Sequence, residues 1–332
     1  MRIAVVILNW NTENYLRSFV PGIIDSLGSE DALYVADSGS SDASLVMLQT
    51  LFPEVHCIAL GENYGFAGGY NRALSQIDAE YYLLLNSDVE VEKGWIEHLV
   101  SWMEMHPECG VCGPKLHALD VNDDGSFSKT CRFEYAGAAG GFIDYFGYPY
   151  CNGRVLKKVE CDNGQYDNYS RVFWVTGAAL MIRSAVWKEV EGFDDRFFAH
   201  MEEIDLCWRV QSSGYTVNVV PQSIVYHIGG GTLPNDSPFK LRLNYRNSLW
   251  MLKKNLPSAI GPFRAKCRIA FRWFLDWLSA LAYLFSGKKS FFQSVFDAHS
   301  EVRKTAIKPE KAVVRVSPGK KLILLSYLFI KK

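Results

Sequence analysis

The chain lacks the usual marks of export and of membrane spanning. No positively charged opening leads into an apolar stretch, so an export signal is not expected. Residues 2–8 are apolar but too few for an anchor, and they read as a first buried strand. Eight cysteines are present, yet only Cys109 and Cys112 have C-x-x-C spacing, and no second pair or histidine pair completes a zinc site. Reduced structural thiols in a cytoplasmic compartment are therefore the expectation. Two nucleotide-binding signatures are missing as well. No Gly-Lys-Ser/Thr closes a P-loop, no G-x-G-x-x-G follows the first strand, and no internal repeat is present.

Acidic residues are scarce in one part of the chain only. Residues 240–332 hold 4 acids against 20 lysines and arginines, whereas residues 1–239 hold 32 acids against 15. A net charge of −1 conceals this split. It predicts two functional regions, one over 1–239 and a basic, aromatic helical region over 240–332 that faces something anionic. At 332 residues, 48% of them hydrophobic, the chain can bury a full core.

Strand and helix patterns alternate over the first 115 residues. Residues 2–8, 32–36, 55–60 and 81–85 read as strands, and 14–27, 44–51, 67–77 and 95–105 as helices, with a further strand from Val111. This rhythm predicts an α/β, Rossmann-like fold on a mostly parallel sheet. Residues 120–170 are rich in Gly, Tyr, Asn and Asp, and predict an insertion over the sheet edge with a short hairpin and a flap. A strand over 173–182, broken at Thr176-Gly177-Ala178, is followed by a helix over 202–212 and short strands over 215–220 and 224–227. Helices are expected over 240–252, 265–284 and 291–306.

The apolar run Tyr81-Tyr82-Leu83-Leu84-Leu85 ends abruptly in Asn86-Ser87-Asp88. Such a strand delivers a carboxylate to the edge where open α/β sheets bind ligands. A carboxylate there calls for a cation, and a divalent metal carrying a diphosphate is the natural candidate. Three other polar loops fall on the same edge: Asn9-Trp10-Asn11, Asp37-Ser38-Gly39-Ser40-Ser41-Asp42 and Gly61-Glu62-Asn63. Asp42 sits where it would cap the next helix. The glycines of Asn63-Tyr64-Gly65-Phe66-Ala67-Gly68-Gly69-Tyr70-Asn71 would let backbone approach a ligand, with a helix N-terminus favouring phosphate.

Together with Val5-Val6-Ile7-Leu8-Asn9-Trp10-Asn11 and Glu202-Glu203-Ile204-Asp205-Leu206-Cys207-Trp208-Arg209, these segments occur in an order that resembles the family 2 glycosyltransferases, in particular their bacterial rhamnosyltransferase-like branch. The resemblance runs from about residue 3 to about residue 250. It implies the A-type glycosyltransferase fold, a nucleotide-diphosphate sugar donor, a divalent metal (Mg²⁺ or Mn²⁺) and inversion at the anomeric carbon. dTDP-rhamnose is the favoured donor, with a UDP-hexose as alternative, in cell-surface polysaccharide synthesis. Asp37 would contact the nucleoside, and Asn9, Asn11, Asn63, Gly65, Phe66, Asn71, Asn86 and Arg246 would line the donor site. Asp88 would be the retained acid of a D-x-D-type motif whose first position is Asn86. His227 matches a metal-ligand position. The family's Glu-Asp pair aligns with Glu202-Glu203, so the expected catalytic Asp is Glu203 here.

Inverting transfer needs a neutralised leaving diphosphate and an acceptor hydroxyl that loses its proton. A metal on Asp88 and His227 would meet the first need, and a carboxylate across the sugar the second. Glu203 is the preferred base, with Asp205 and Glu202 as alternatives. Residues 203 and 205 differ by about 200° around a helix, so they cannot share a face. Asp205 and Arg209 are spaced to pair. Trp174, Thr176 and Gly177 either line the acceptor side or pack in the core.

The basic tail carries residues 268–285, whose charges at Arg268, Arg272 and Asp276 fall on one face of a helix. That pattern predicts an interfacial helix on an anionic membrane surface. The apolar residues 322–330, flanked by lysines, add to it. An enzyme held at the inner leaflet would reach a glycan or a polyprenyl-diphosphate-linked acceptor. Two other classes compete. Sugar-phosphate nucleotidyltransferases usually carry a Gly-rich basic loop after the first strand, which Asn9-Trp10-Asn11-Thr12 is not. Nucleic acid is not expected as a partner, because the acidic body would repel it.

Overall fold

The computed structural model describes residues 1–135, 137–155, 158–168, 170–229 and 237–323. The first half of the chain runs β1 (Ile3–Asn9), α1 (Glu13–Ile24), β2 (Ala32–Asp37), α2 (Ser44–Leu51), β3 (His56–Ala59), α3 (Gly65–Leu74), β4 (Tyr81–Leu85), β5 (Val89–Val91), α4 (Trp95–Met105), β6 (Cys109–Val121) and β7 (Phe127–Phe133). Four short strands follow: β8 (Gly141–Ile143), β9 (Pro149–Cys151), β10 (Arg154–Val155) and β11 (Lys158–Val159). The remainder is β12 (Ala179–Arg183), α5 (Ser184–Glu189), α6 (Glu202–Ser212), β13 (Thr216–His227), α7 (Pro238–Ile260), α8 (Pro262–Phe285) and α9 (Lys289–Lys304).

Period-two alternation explains the central strands. Ala4 and Val6 of β1 enter one core while Ile3, Val5 and Ile7 enter the other. In β4, Tyr82 and Leu84 face the first core, and Tyr81, Leu83 and Leu85 the second. Helices α1, α2 and α4 cover one face of the sheet, and α3, α5, α6 and α7 contribute to the core on the other.

The main sheet has the order β3-β2-β1-β4-β12-β6-β13-β5, with β7 added to β6. β3, β2, β1 and β4 are parallel, as are β6 and β13; β12 runs antiparallel between β4 and β6. The strand expected over 173–182 is confined to Ala179–Arg183, with Thr176-Gly177-Ala178 ahead of it as turn. The two strands expected over 215–220 and 224–227 are one, with a register shift between Val220 and Ile224.

The insertion is ordered around a hairpin, β6–β7, and a four-stranded antiparallel sheet, β11-β10-β9-β8. Asp144 holds its turn by accepting from the N–H groups of Phe146 and Tyr148, both at 2.8 Å. The compositional boundary at residue 240 is not a packing boundary. Leu249, Trp250, Met251, Leu252 and Leu256 of α7 and Val302 of α9 belong to the same core as Val6 and Leu84.

Candidate active site

Strand direction assembles the site. β1, β2 and β4 are parallel, so Asn9, Asp37 and Asn86-Ser87-Asp88 emerge at one edge. Asn9 is buried and donates to Asp37 Oδ1 at 2.7 Å. Asp37 Oδ2 accepts from the N–H groups of Gly39 (3.2 Å) and Ser40 (3.0 Å). Asn11, at φ 55°, receives the Ser41 N–H on its Oδ1 at 2.7 Å. Asp42 accepts from the N–H groups of Glu13 (3.0 Å) and Ser44 (3.1 Å), tying the starts of α1 and α2 together. Ser38 Oγ is buried with no hydrogen-bond partner in the protein.

His227 arrives at the same edge. β13 runs parallel to β6, and its last pair with β5 is His227 opposite Val89, next to Asp88. Nε2 of His227 lies 3.1 Å from Asp88 Oδ1 and 3.4 Å from Asn86 Nδ2. Its Nδ1 faces Glu134 Oε1 at 3.6 Å, beyond hydrogen-bond length. Burial disfavours the imidazolium, but Asp88 and Glu134 outweigh it and push His227 up to about 10. Burial likewise opposes the Asp88 charge, while His227 holds the carboxyl below its ordinary value. Of the Gly229-Gly230-Gly231 run that follows His227, Gly230 and Gly231 lie outside the described residues.

These residues fit a divalent ion. Without an ion the two are joined through the His227 proton; a divalent ion would displace that proton and leave a carboxylate and a neutral imidazole, both ordinary ligands. Glu134 stands where a carboxylate commonly orients a ligating histidine. Among the described residues no group of three or more His, Cys, Asp or Glu is gathered to hold a metal. The diphosphate would therefore have to supply much of the coordination. Glu134 has no local motif, and sequence reading missed it.

The second half of the site is the start of α6. The residues before it are strained: Phe198, His200 and Met201 have φ of 63°, 70° and 74°. Each such non-glycine residue costs about 1–3 kcal/mol unless its surroundings impose the shape. Asn247 of α7 imposes it, donating through Nδ2 to the carbonyls of Phe197 (2.8 Å), Ala199 (2.8 Å) and His200 (2.7 Å). Arg246 adds a bond to Phe197 O at 3.2 Å and an ion pair with Glu301 at 2.9 Å. Arg246 is thus committed to this loop and does not lie free toward a diphosphate. We predict that Asn247→Ala lowers turnover about tenfold or more while retaining the fold, because the presentation of α6 relaxes. Turnover and circular dichroism of the same preparation check it.

Three acids begin α6, and they divide cleanly. Asp205 is fully buried and accepts from Arg209 (2.8 Å), Lys254 (3.0 Å) and Asn255 (2.7 Å). The predicted Asp205–Arg209 pair is formed, and Asp205 has no capacity left to take a proton from a substrate. Glu202 and Glu203 each keep Oε2 buried without a partner. Burial pushes Glu203 up to about 7, held back by backbone groups at the helix start. Glu202 is also raised well above the usual carboxylate range, by burial and then by the neighbouring Glu203.

A raised carboxyl favours folding below its unfolded value and loses that advantage as pH climbs through the folded one. Glu202→Gln should therefore raise the melting temperature by about 2–4 °C at pH 8 and leave it unchanged near pH 4. Equal shifts at both pH values would exclude a buried acid as the cause.

Gly177 joins the two halves. The Asn86 N–H donates to Ala178 O at 2.9 Å, beside Gly177. A Cβ on Gly177 would meet the Phe66 ring at 2.9 Å and Glu203 Cβ at 3.7 Å. Phe66, Gly177 and Glu203 therefore pack together beside Asn86, two residues before Asp88. Thr176 Oγ1 accepts from the Ala178 N–H at 3.2 Å. Trp174 is buried beneath Gly141, its Nε1 donating to Phe142 O at 3.0 Å, so it packs in the core and presents no acceptor surface.

The start of α3 differs from expectation. Asn63 Oδ1 accepts from the Gly65 N–H at 2.8 Å. The N–H groups of Phe66 and Ala67 donate to Phe198 O at 2.6 and 3.2 Å, so in this state a carbonyl occupies the end expected to meet phosphate. Asn71 is bound to Phe193 through both its N–H (3.0 Å) and its carbonyl (2.8 Å), away from the sheet edge.

Known proteins resemble this chain in sequence and fold. The profile of glycosyl transferase family 2 matches residues 4–159, and that of glycosyl transferase family group 2 matches residues 158–292. The chain belongs to the family 2 glycosyltransferases. Over 260 residues it is 24% identical to the N-acetylglucosaminyl-diphospho-decaprenol L-rhamnosyltransferase of Mycobacterium tuberculosis, covering 74% of this chain and 81% of that protein. It is 22% identical over 240 residues to the rhamnosyltransferase WbbL of Escherichia coli, covering 67% of this chain and 82% of WbbL. This glycosyltransferase therefore falls on the rhamnosyltransferase-like branch. GalNAc-T7, solved with UDP, GalNAc and Mn²⁺, superposes with a TM-score of 0.60 at 14% identity, covering 93% of this chain and 59% of that one. The mannosyltransferase PcManGT of Pyrobaculum calidifontis, solved with GDP-Man and Mn²⁺, gives 0.55 at 12% identity, covering 99% and 79%. Both likenesses identify the A-type glycosyltransferase fold.

Proposed function

We propose that this glycosyltransferase moves a sugar, with inversion, from a nucleotide-diphosphate donor to a polyprenyl-diphosphate-linked or other glycan acceptor in cell-surface polysaccharide synthesis. dTDP-rhamnose is the favoured donor and a UDP-hexose the alternative. The observation that carries this reading is Glu203, a half-buried residue whose Oε2 is buried without a partner and whose carboxyl is pushed up to about 7, near the sheet edge that ends in Asp88 and His227.

The chemistry follows from the residues. Glu203 takes the proton of the acceptor hydroxyl at Oε2. The acceptor oxygen bonds to the anomeric carbon as that carbon's bond to the diphosphate oxygen breaks, and the electron pair leaves with the nucleoside diphosphate. Asn9 and Asp37, at the ends of β1 and β2, would hold the nucleoside side. Asp88 and His227 would hold Mg²⁺ or Mn²⁺, whose bound charge would stabilise the leaving diphosphate. Glu203 is fitted to its role because a base works best with a pKa near the operating pH.

The test is a panel of nucleotide sugars with Mn²⁺ or Mg²⁺, using a polyprenyl-diphosphate N-acetylglucosamine acceptor and reading product by mass spectrometry. Transfer from dTDP-rhamnose giving one inverted linkage is expected. A product retaining the donor's anomeric configuration, or no transfer from any donor, would overturn the reading.

A further inference from the structure

Helix α8 is built inside out. The sequence places Arg268, Arg272 and Asp276 on one face, and the structure turns that face inward. Arg272 is 4% exposed and Asp276 fully buried, paired at 2.9 Å. Arg272 also lies over the Tyr148 ring at 3.6 Å, and Arg268 over the Tyr145 ring at 3.7 Å, both on the β8–β9 turn. His299 of α9 reaches Asp276 from the other side at 3.4 Å. The polar face thus clamps the insertion and α9, and the apolar residues are left outside.

Phe263, Phe271, Phe274, Leu278, Leu281 and Phe285 are 77, 46, 54, 48, 40 and 86% exposed. Their spacing puts them on one side of the helix, and no charged residue interrupts that side between 267 and 285. Phe296 of α9 is 48% exposed as well. A row of large apolar side chains of this length is rare on a free protein surface. Yet no described helix is long and apolar enough to cross a membrane.

Charge identifies the occupant. Arg264, Lys266 and Lys289 are exposed at the two ends of the row. Among the acids nearby, Asp297 of α9 is half-buried beside Phe296 and accepts from Gln293, and this one carboxylate does not offset the exposed cations. Asp276 is buried, and Glu301 and Glu310 are paired with Arg242, Arg246 and Lys254. An apolar stripe rimmed by cations fits the boundary between acyl chains and anionic headgroups.

We infer that the outer face of α8 docks this protein on an anionic lipid bilayer, with Phe271, Phe274, Leu278 and Leu281 inserted. The charged side of the helix grips the protein, and its apolar side meets the lipid. The apolar residues 324–330 lie outside the described residues and are not needed for the inference.

The test is flotation of the full chain with phosphatidylcholine vesicles, with and without about 30% phosphatidylglycerol. Wild type should float with the anionic vesicles, and the Phe274→Glu, Leu278→Glu double variant should bind at least about tenfold more weakly. Both residues are exposed, so the variant should melt like the wild type. Its turnover on a detergent-dispersed acceptor should be unchanged, which separates docking from transfer. Replacing Arg264, Lys266 and Lys289 by Glu should remove the preference for the anionic lipid. Equal flotation of variant and wild type would overturn the inference. So would wild type that does not float, the result if a second copy or the chain's own last residues cover the face.

Discussion

Glu203→Gln is expected to reduce turnover by about 10²–10⁴-fold, the usual worth of a positioned general base. Gln keeps the size of the side chain and can occupy the same pocket beside Gly177 and Phe66. It cannot take a proton. Donor binding should stay within a few-fold of wild type, since in the proposed mechanism the carboxylate serves the acceptor and not the diphosphate. The wild-type rate should also fall as pH drops below about 7, because Glu203 then carries its proton and is no longer a base. Residual activity of the variant should lack that acid limb. A variant that kept the limb would move the base to Glu202, whose Oε2 is equally unpartnered. Asp205 is not an alternative, because Arg209, Lys254 and Asn255 already hold it.

Asp88→Asn should weaken donor binding in the presence of Mn²⁺ by at least about tenfold and turnover by about 10²-fold, since the amide is a poor ligand for a hard cation. Without metal, variant and wild type should bind the nucleotide about equally. Calorimetric titration of the nucleoside diphosphate with and without Mn²⁺ separates the two cases. An unchanged metal dependence in the variant would show that the ion, or the diphosphate, sits elsewhere. The fold should tolerate the change, because Asn can still meet His227 at the position Asp88 now occupies.

The parts of this site that follow from local pattern were legible in the sequence. An apolar strand that stops at Asn86-Ser87-Asp88 announces a carboxylate at a sheet edge. The i,i+4 spacing of Asp205 and Arg209 announces their pair, and so removes one candidate base. What was not legible depends on distant segments. The direction of β12 is set by its neighbours β4 and β6, not by its own residues. Phe198 caps α3 from more than a hundred residues away. Glu134 reaches His227 only because β7 folds back along β6, whose other edge carries β13.

Helix α8 shows the same limit in another form. Periodicity correctly finds a charged side and an apolar side, but it does not say which side meets the protein. That was decided by Tyr145 and Tyr148 on the insertion, which offer ring faces to Arg268 and Arg272, and by His299 beside Asp276. Arg246 was misplaced for a related reason. A basic residue near a diphosphate site suggests phosphate binding, yet here Glu301 and the carbonyls of a strained turn claim it first. Its neighbour Asn247 then serves the site indirectly, by fixing the backbone that presents Glu203.

The central claim is a division of labour across one cleft, with the diphosphate end at Asp88 and His227 and the proton acceptor at Glu203. A crystal structure with Mn²⁺ and an unreactive analogue of the sugar donor tests it most directly. The account predicts the metal on Asp88 and His227, the diphosphate on the metal, and the Glu203 carboxylate facing the anomeric carbon from the side opposite the leaving oxygen. Phosphates bound away from Asp88, or an anomeric carbon with no carboxylate on that side, would contradict it.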